Sequence, residues 1–411
     1  MGEVKPKIDT FAKIKVIGVG GSGGSALNRM IRAKLHGVEF IAANTDIQAL
    51  HQSLAPMKVH LGKAITRGLG AGMDPEVGKK AAEESQNEIR EALKGTDMVF
   101  VTCGLGGGTG SGAGPPIAEI ARELGCLTIG VVTKPFSFEG AQRSSIAERA
   151  HEDLRSRVDA LITIPNDRIL SIIDKKTTLL DAFEIVDDIL KQGVRGIAEL
   201  ITTPGLINVD FADVKAIMRD AGSALMGIGA ASGENRAVEA ARAAVSSPLL
   251  EISIEGARGI LFTVAGGPNL TMHEVNEAAK IITGSADPNA KIIFGTIIDE
   301  SLKEELRVTV VATGFDPPAP GKPIAKPDVA FLERQPPYRP PKYFGKNEEP
   351  AATGKAPERA SPAPATTAAT VREIPRAYGD DFLEEEPEPV AATPAVNDDL
   401  EIPAFIRRKL G

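Results

Sequence analysis

Gly104-Leu-Gly-Gly-Gly-Thr-Gly-Ser-Gly-Ala-Gly114 places seven glycines in eleven residues, directly after the apolar run Met98-Val-Phe-Val-Thr102. A backbone so poor in side chains brings successive N–H groups up to an anion, and a strand feeding it holds the loop in place. The stretch therefore reads as a phosphate-binding loop. It is not a Walker A loop, because no Lys-Ser or Lys-Thr pair follows it to reach the β/γ-phosphates and a metal. A nucleotide here is held by backbone N–H groups and by the positive end of a helix expected to begin near Ser111.

Working outward, Ile14-Lys-Val-Ile-Gly-Val19, Gly37-Val-Glu-Phe-Ile-Ala-Ala43 and Asp97-Met-Val-Phe-Val-Thr102 are β-like runs separated by helix-like spacers. A fourth, Leu127-Thr-Ile-Gly-Val-Val-Thr133, follows the long glycine loop and an amphipathic segment. This alternation predicts a Rossmann-like α/β domain with a parallel, doubly wound sheet, whose ligand sits beyond the carboxyl ends of the strands. A second glycine loop, Ile17-Gly-Val-Gly-Gly-Ser-Gly-Gly24, follows the first strand, with a helix expected from about Ser25. Gly18, Gly20 and Gly23 match G-x-G-x-x-G, and Glu39, placed near the end of the next strand, would complete a dinucleotide fingerprint. A nicotinamide- or flavin-dependent enzyme is thus one reading. Two loops converging on one ligand favour a mononucleotide with several phosphates; two merely structural turns are the third reading.

From Leu179 to Ile201 the residues Leu179, Phe183, Val186, Leu190, Val194, Ile197 and Ile201 recur at steps of three and four. That spacing predicts one long amphipathic helix ending before Thr203-Pro-Gly205. Helical and strand-like patterns from about Asp213 to Gly314 predict a second α/β domain, with the long helix as a spine between the two. After Phe315 the composition changes: 18 of the 29 prolines fall in the last 96 residues. Such a segment buries too little apolar surface to offset chain entropy and is expected to be a disordered tether, spanning on the order of 50 Å.

Net charge of -8 argues against a general nucleic-acid binder. Cys103 and Cys126 are too few for a disulfide framework, and the histidines lack metal-ligand spacing. No apolar stretch reaches the length of a membrane span, so a soluble cytoplasmic protein is expected.

The order of motifs resembles the FtsZ family of bacterial tubulin-like cell-division GTPases. Gly104–Gly114 is similar to the family signature G-G-G-T-G-[ST]-G. Around it stand Asn44-Thr-Asp46, Gly68-Leu-Gly-Ala-Gly72, Pro135-Phe-Ser-Phe-Glu-Gly140, Pro165-Asn166, the Phe183–Asp187 segment, Asn208-Val-Asp-Phe-Ala-Asp213 and Arg307-Val-Thr-Val-Val-Ala-Thr-Gly-Phe315. The resemblance implies a flexible segment 1–10, a GTP-binding domain 11–178, a central helix 179–203 and a GTPase-activating domain 204–315. A linker 316–396 and a partner-binding peptide 397–411 complete the implied order.

It also implies GTP as substrate, with Mg²⁺. Gly20 and Gly21 would approach the α/β-phosphates; Gly107, Gly108, Thr109 and Gly110 would wrap the β/γ-phosphates; Ala71 and Gly72 would sense the γ-phosphate; Ser22, Gly23, Ser25, Gly104 and Pro135 would also belong to the nucleotide site. Glu139 and Arg143 would hold the ribose and the neighbouring phosphate, and Asn166 and Asp187 would read the base. Where the family commonly has Asn-Asn, this chain has Gly24-Ser25, and Met73-Asp74 and Ala141-Gln142 are further departures.

Guanine alone offers two adjacent donors, N1–H and N2–H₂, and an ionised carboxylate is acceptor-only, so Asp187 suits guanine. An exposed helix acid is the alternative. Phe183, one turn earlier, either stacks on the base or belongs to the apolar stripe. Asp210 and Asp213 read as an N-cap and a first-turn acid. The resemblance implies that they, with Asn208, complete the active site of the next subunit in a head-to-tail homopolymer.

Asp399-Leu-Glu-Ile-Pro-Ala-Phe-Ile-Arg-Arg408 resembles the terminal peptide that docks on membrane adapters such as FtsA. Residence at the midcell division ring, on the inner face of the membrane, is the implied location.

Overall fold

The structure, a computed structural model, describes residues 12–170, 177–203, 205, 207, 209–247, 254 and 256–315. The segments 1–10, 316–396 and 397–411, and Asn208, lie outside the described residues.

The elements run β1 (Ile14–Val19), α1 (Gly20–Arg32), β2 (Val38–Asn44), α2 (Ile47–Gln52), β3 (Met57–His60), α3 (Lys63–Thr66), α4 (Pro75–Glu84) and α5 (Gln86–Leu93). Next come β4 (Met98–Gly104), α6 (Gly108–Glu123), β5 (Leu127–Lys134), α7 (Ala141–Arg155), β6 (Ala160–Pro165), α8 (Asn166–Ile169) and α9 (Leu179–Thr202). The remainder is α10 (Phe211–Met218), β7 (Gly222–Ser232), α11 (Arg236–Val245), β8 (Gly259–Gly266), α12 (Met272–Gly284), β9 (Lys291–Ile298) and β10 (Glu305–Thr313).

The strands form one sheet in the order β3-β2-β1-β4-β5-β6-β7-β10-β8-β9. β1 to β6 pair in parallel, and β7 joins β6 through three residue pairs, Ala160 with Gly222 to Ile162 with Ala224. β10 is antiparallel to both β7 and β8. β1 pairs with both β2 and β4, so the chain reverses direction of travel across the sheet at β1. That switch point is where a crevice opens beyond the strand ends, and each glycine loop leaves one of the two strands beside it.

Successive residues of a strand face opposite layers, and the central strands are apolar at both. Ile14, Val16 and Phe100 pack with α1, α9 and α10; Ile17, Val19, Val99 and Val101 pack with α4, α5, α6 and α7. A third core lies beneath α11 and α12. The short edge strand β3 has no apolar run, with Met57 and Lys58 exposed, which is why no sequence pattern announces it.

Glu39 is the second residue of β2, not near its end. It is in register with Lys15 and forms an ion pair with it at 3.4 Å, at the strand starts, opposite the glycine loops. The dinucleotide fingerprint is therefore incomplete in space.

Both loop helices begin earlier than their sequence suggests: α1 at Gly20 rather than Ser25, and α6 at Gly108 rather than Ser111. Glycine disfavours a helix interior, yet here it permits contacts that no other residue allows. A Cβ on Gly112 would stand 2.0 Å from Pro75 O, one on Gly78 2.3 Å from Gly108 O, and one on Gly110 2.6 Å from Gly104 O. The backbones of α4 and α6 touch, and this contact holds the first turns of α6 in helical form.

The long helix α9 is N-capped by Thr178, whose hydroxyl accepts from Asp181 N at 3.2 Å. Its buried stripe comprises Val186, Ile189, Leu190, Val194, Ile197 and Ala198.

Gly112→Ala is expected to lower the unfolding free energy by about 1–3 kcal/mol through overpacking. Gly24→Ala, with open space around its Cβ position, is expected to be neutral or slightly stabilising. Denaturant titration of the two variants checks the pair, and equal effects would contradict the packing argument.

Candidate nucleotide site

A cleft of about 390 Å³ opens at the carboxyl ends of β1, β4, β5 and β6. Its walls are the two glycine loops, the segment after β5, and the first half of α9.

At one end, Gly21, Ser22, Gly104, Gly107, Gly108, Thr109 and Gly110 line the cleft. The N-caps of α1 and α6 are Val19 and Gly107; neither provides a side-chain cap, and neither helix has an acid in its first turn. Two helices thus present unsatisfied N–H groups and positive dipole ends to one cleft, an arrangement that suits a polyanion. The loops are tied together: Ser22 Oγ accepts from Gly104 N at 2.8 Å. Gly20 has φ +75°, and a Cβ there would stand 3.1 Å from Gly110 N. The Thr45 and Thr109 hydroxyls lie 2.6 Å apart and join the β2 end to α6.

Five expected residues do not line the cleft. Gly23 serves packing, since a Cβ there would meet Thr102 O at 2.5 Å. Gly20 and Ser25 line a separate hollow of about 90 Å³ on the α2 side. Ala71 packs against the start of α6, close to Gly108, and Gly72, at φ +56°, adjoins it. In their place Met73 reaches the cleft, at φ +65°, a left-handed conformation strained for a residue with a long side chain. Thr133, at the end of β5, is a second lining residue that the sequence reading missed. Its position as the last buried residue of a parallel strand, at the carboxyl end, is the signal.

At the other end stand Pro135, Glu139, Arg143, Asn166, Phe183 and Asp187. Glu139 accepts from Phe136 N at 2.8 Å and pairs with Arg143, one helical turn on. Arg143 Nε and Asn166 Oδ1 are buried without a hydrogen-bond partner. Orphaned polar atoms of this kind, on the wall of an open cleft, mark where a ligand's groups go. Phe183 lies off the buried stripe of α9, 41% exposed, edge-on to Phe136 at 5.7 Å. Asp187 is not a free surface acid: its carboxyl is raised to about 6, chiefly by burial, with Arg29 opposing and Asp188 and Glu184 adding to the rise.

Asp210 and Asp213 stand apart from the cleft. Asp210 N-caps α10, its side chain accepting from Asp213 N at 2.8 Å, and Asp213 lies in the first turn. At 1.5 Å per residue, α9 carries the chain roughly 22 Å from Asp187 to Thr202 before α10 begins. No group of three or more His, Cys, Asp or Glu among the described residues forms a metal cage. Burial pushes the Cys103 thiol up to about 12, which leaves it inert behind the second loop.

The family model for the Tubulin/FtsZ GTPase domain matches residues 13–174, and that for the FtsZ C-terminal domain matches 222–316. The FtsZ of M. jannaschii, solved as an empty dimer, is 46% identical, with a TM-score of 0.72 over 74% of this chain and 89% of that one. The chain belongs to the tubulin/FtsZ family. CetZ2 of Haloferax volcanii, in a GTPgS-bound protofilament, shares the fold at 22% identity and a TM-score of 0.64, over 73% of this chain and 92% of that one. CetZ1 of the same organism, a GDP-bound monomer, does so at 22% and 0.65, over 75% and 96%. The matched GTPase domain implies GTP binding, and both glycine loops, Glu139, Arg143 and Asn166 of that domain line the cleft. Phe183 and Asp187 reach it from the helix that follows.

A ligand whose donors bond the ionised Asp187 lowers that carboxyl's pKa, so affinity is full well above pH 6 and declines as pH falls through about 6. GDP binding measured between pH 5.5 and 8.5 is expected to show this decline. Asp187→Asn is expected to flatten the profile and to weaken binding at pH 8.

Proposed function

We propose that this chain is a GTP-dependent, self-assembling cytoskeletal protein whose head-to-tail filaments build the bacterial division ring, and that GTP is hydrolysed where two subunits meet. The observation that carries the reading is the separation of parts. The cleft holds groups for phosphates, sugar and base, while the acids Asp210 and Asp213 sit on a rigid, capped helix end away from it. Among the described residues the carboxylates lining the cleft are Glu139 and Asp187, at its base end, so nothing acidic is in place to orient a water at the phosphate end. An acid pair donated by a neighbouring copy fills that role, and a contact in which one copy's cleft receives another's α10 is heterologous and propagates as a filament.

Exposed apolar side chains fit such a contact. Leu69 is 87% exposed beside the phosphate end, Phe138 is exposed in the segment after β5, and Met272 is exposed at the start of α12. The FtsZ relative solved as a dimer is in keeping with association.

Hydrolysis then rests on positioning and charge stabilisation, as phosphoryl transfer requires. With no acidic or histidine cage among the described residues, a resident metal does not fit; Mg²⁺ is proposed as a companion of the nucleotide's phosphates, which supply most of its ligands. Asn208, outside the described residues, joins the two acids in this reading. The terminal peptide 397–411 is proposed to dock on an FtsA-like adapter and so bring filaments to the inner membrane face at midcell.

Asp213→Ala is expected to bind GTP and enter filaments while losing at least tenfold in turnover, and wild-type activity per subunit is expected to rise from near zero with concentration. Phosphate release across a concentration series reads both. Undiminished turnover in the variant, or a rate per subunit independent of concentration, would sink the shared site. Truncation after Phe315 is expected to spare GTP turnover and abolish adapter binding in a pull-down.

A further inference from the structure

Three acids, Glu184, Asp187 and Asp188, fall within five residues of α9. At spacings of three and four, Glu184 faces both others along the helix, and like charges there repel. The relief comes from two cations. Lys191 bonds Asp188 at 2.9 Å from the same helix. Arg29 crosses from α1, with Nη2 2.8 Å from Glu184 Oε2 and Nη1 3.2 Å from Asp188 Oδ1. A guanidinium fork spanning two carboxylates fixes distance and direction as a single ammonium does not. The fork straddles the position of Asp187, and Arg29 itself is not a lining residue of the cleft.

We propose that Arg29 is a positioning residue for guanine selection: it clamps the turn of α9 carrying Asp187 against α1, balances the acids around it, and so keeps the base-facing carboxylate in register. The proposal rests on the reading of Asp187 as the base contact.

Arg29 sits nine residues beyond Gly20, on the helix whose first turn faces the phosphate end. One rigid element therefore sets the distance between phosphate loop and base reader. Around Asp187 the charged groups are Glu184 and Asp188 on its own helix and Arg29 from α1, while Glu139 and Arg143 across the cleft pair with each other. Arg29 is thus the one cation pulling the Asp187 carboxyl down, against burial and two acids that push it up. Without it, Asp187 takes up a proton closer to neutral pH, and a protonated carboxyl presents a donor to guanine's donors.

The test measures equilibrium binding of GDP and of inosine diphosphate, which lacks the 2-amino donor, to the full chain from pH 5.5 to 8.5. Arg29→Met is expected to raise the midpoint of GDP binding by roughly one pH unit. Binding then drops several-fold at pH 6.5, recovers at pH 8.5, and the preference for GDP over inosine diphosphate narrows at the lower pH. Arg29→Lys, which keeps the charge without the fork, is expected to restore the midpoint but not the full preference for GDP over inosine diphosphate. In an Asp187→Asn background, Arg29→Met is expected to leave the pH profile unchanged. An unaltered pH profile together with an unaltered preference for GDP over inosine diphosphate overturns the role of Arg29. Native affinity and native base preference in Asp187→Asn alone would instead overturn the base-reading role of Asp187.

Discussion

The contact on which the rest of the structure depends is the backbone-to-backbone approach around the first turns of α6. Gly108 and Gly112 lie against α4 and Gly110 against the end of β4, at distances that leave no room for a Cβ, and Gly20, at φ +75°, lies close against Gly110. Two helices can therefore start side by side at the sheet's switch point, each with its first N–H groups uncapped. Removing side chains has two effects with one cause: the helices pack, and the peptide groups become the ligands. A bulkier residue at any of these contacts would push α6 away from α4 or from the first loop, and the cleft would lose its shape along with its stability.

Electrostatics then divides the cleft. The end lined by the two glycine loops is made from neutral backbone and helix dipoles, which complement a polyanion without a lysine. The other end is made from side chains held by one another: Glu139 with Arg143, Phe183 with Phe136, Asp187 within the Arg29 cluster. α9 connects this end to the second half of the sheet, packing against β5 near the cleft and reaching β9 further along.

The fold was largely legible in the sequence. Continuous apolar runs such as Met98–Thr102, bounded by glycine, fit strands buried on two faces, and the three-and-four spacing from Val186 to Ile197 fits one side of a helix. β3 was not legible, because a four-residue half-exposed edge strand carries no pattern. Glu39 misled because distance along the chain to the strand end was judged without register, and pairing with Lys15 places it at the other end of the sheet. The start of α6 is not legible because nothing visible in sequence outweighs glycine's low helix propensity; the contacts of Gly112 with Pro75 and of Gly110 with Gly104 compensate it.

At the site, the chain's residue types determined the chemistry: glycines for close backbone approach, a carboxylate that accepts and never donates while ionised, acids able to cap a helix. Those are properties of the residues wherever they sit. Tertiary structure alone decided which of them share a wall. It put Met73 and Thr133 on the cleft, left Gly23 and Ser25 off it, turned Phe183 out of the apolar stripe, and set Asp210 and Asp213 at a distance. The physical reason is that lining a cavity depends on which face of an element points where, and that direction is set by packing against partners far away in sequence, about which local pattern carries no information.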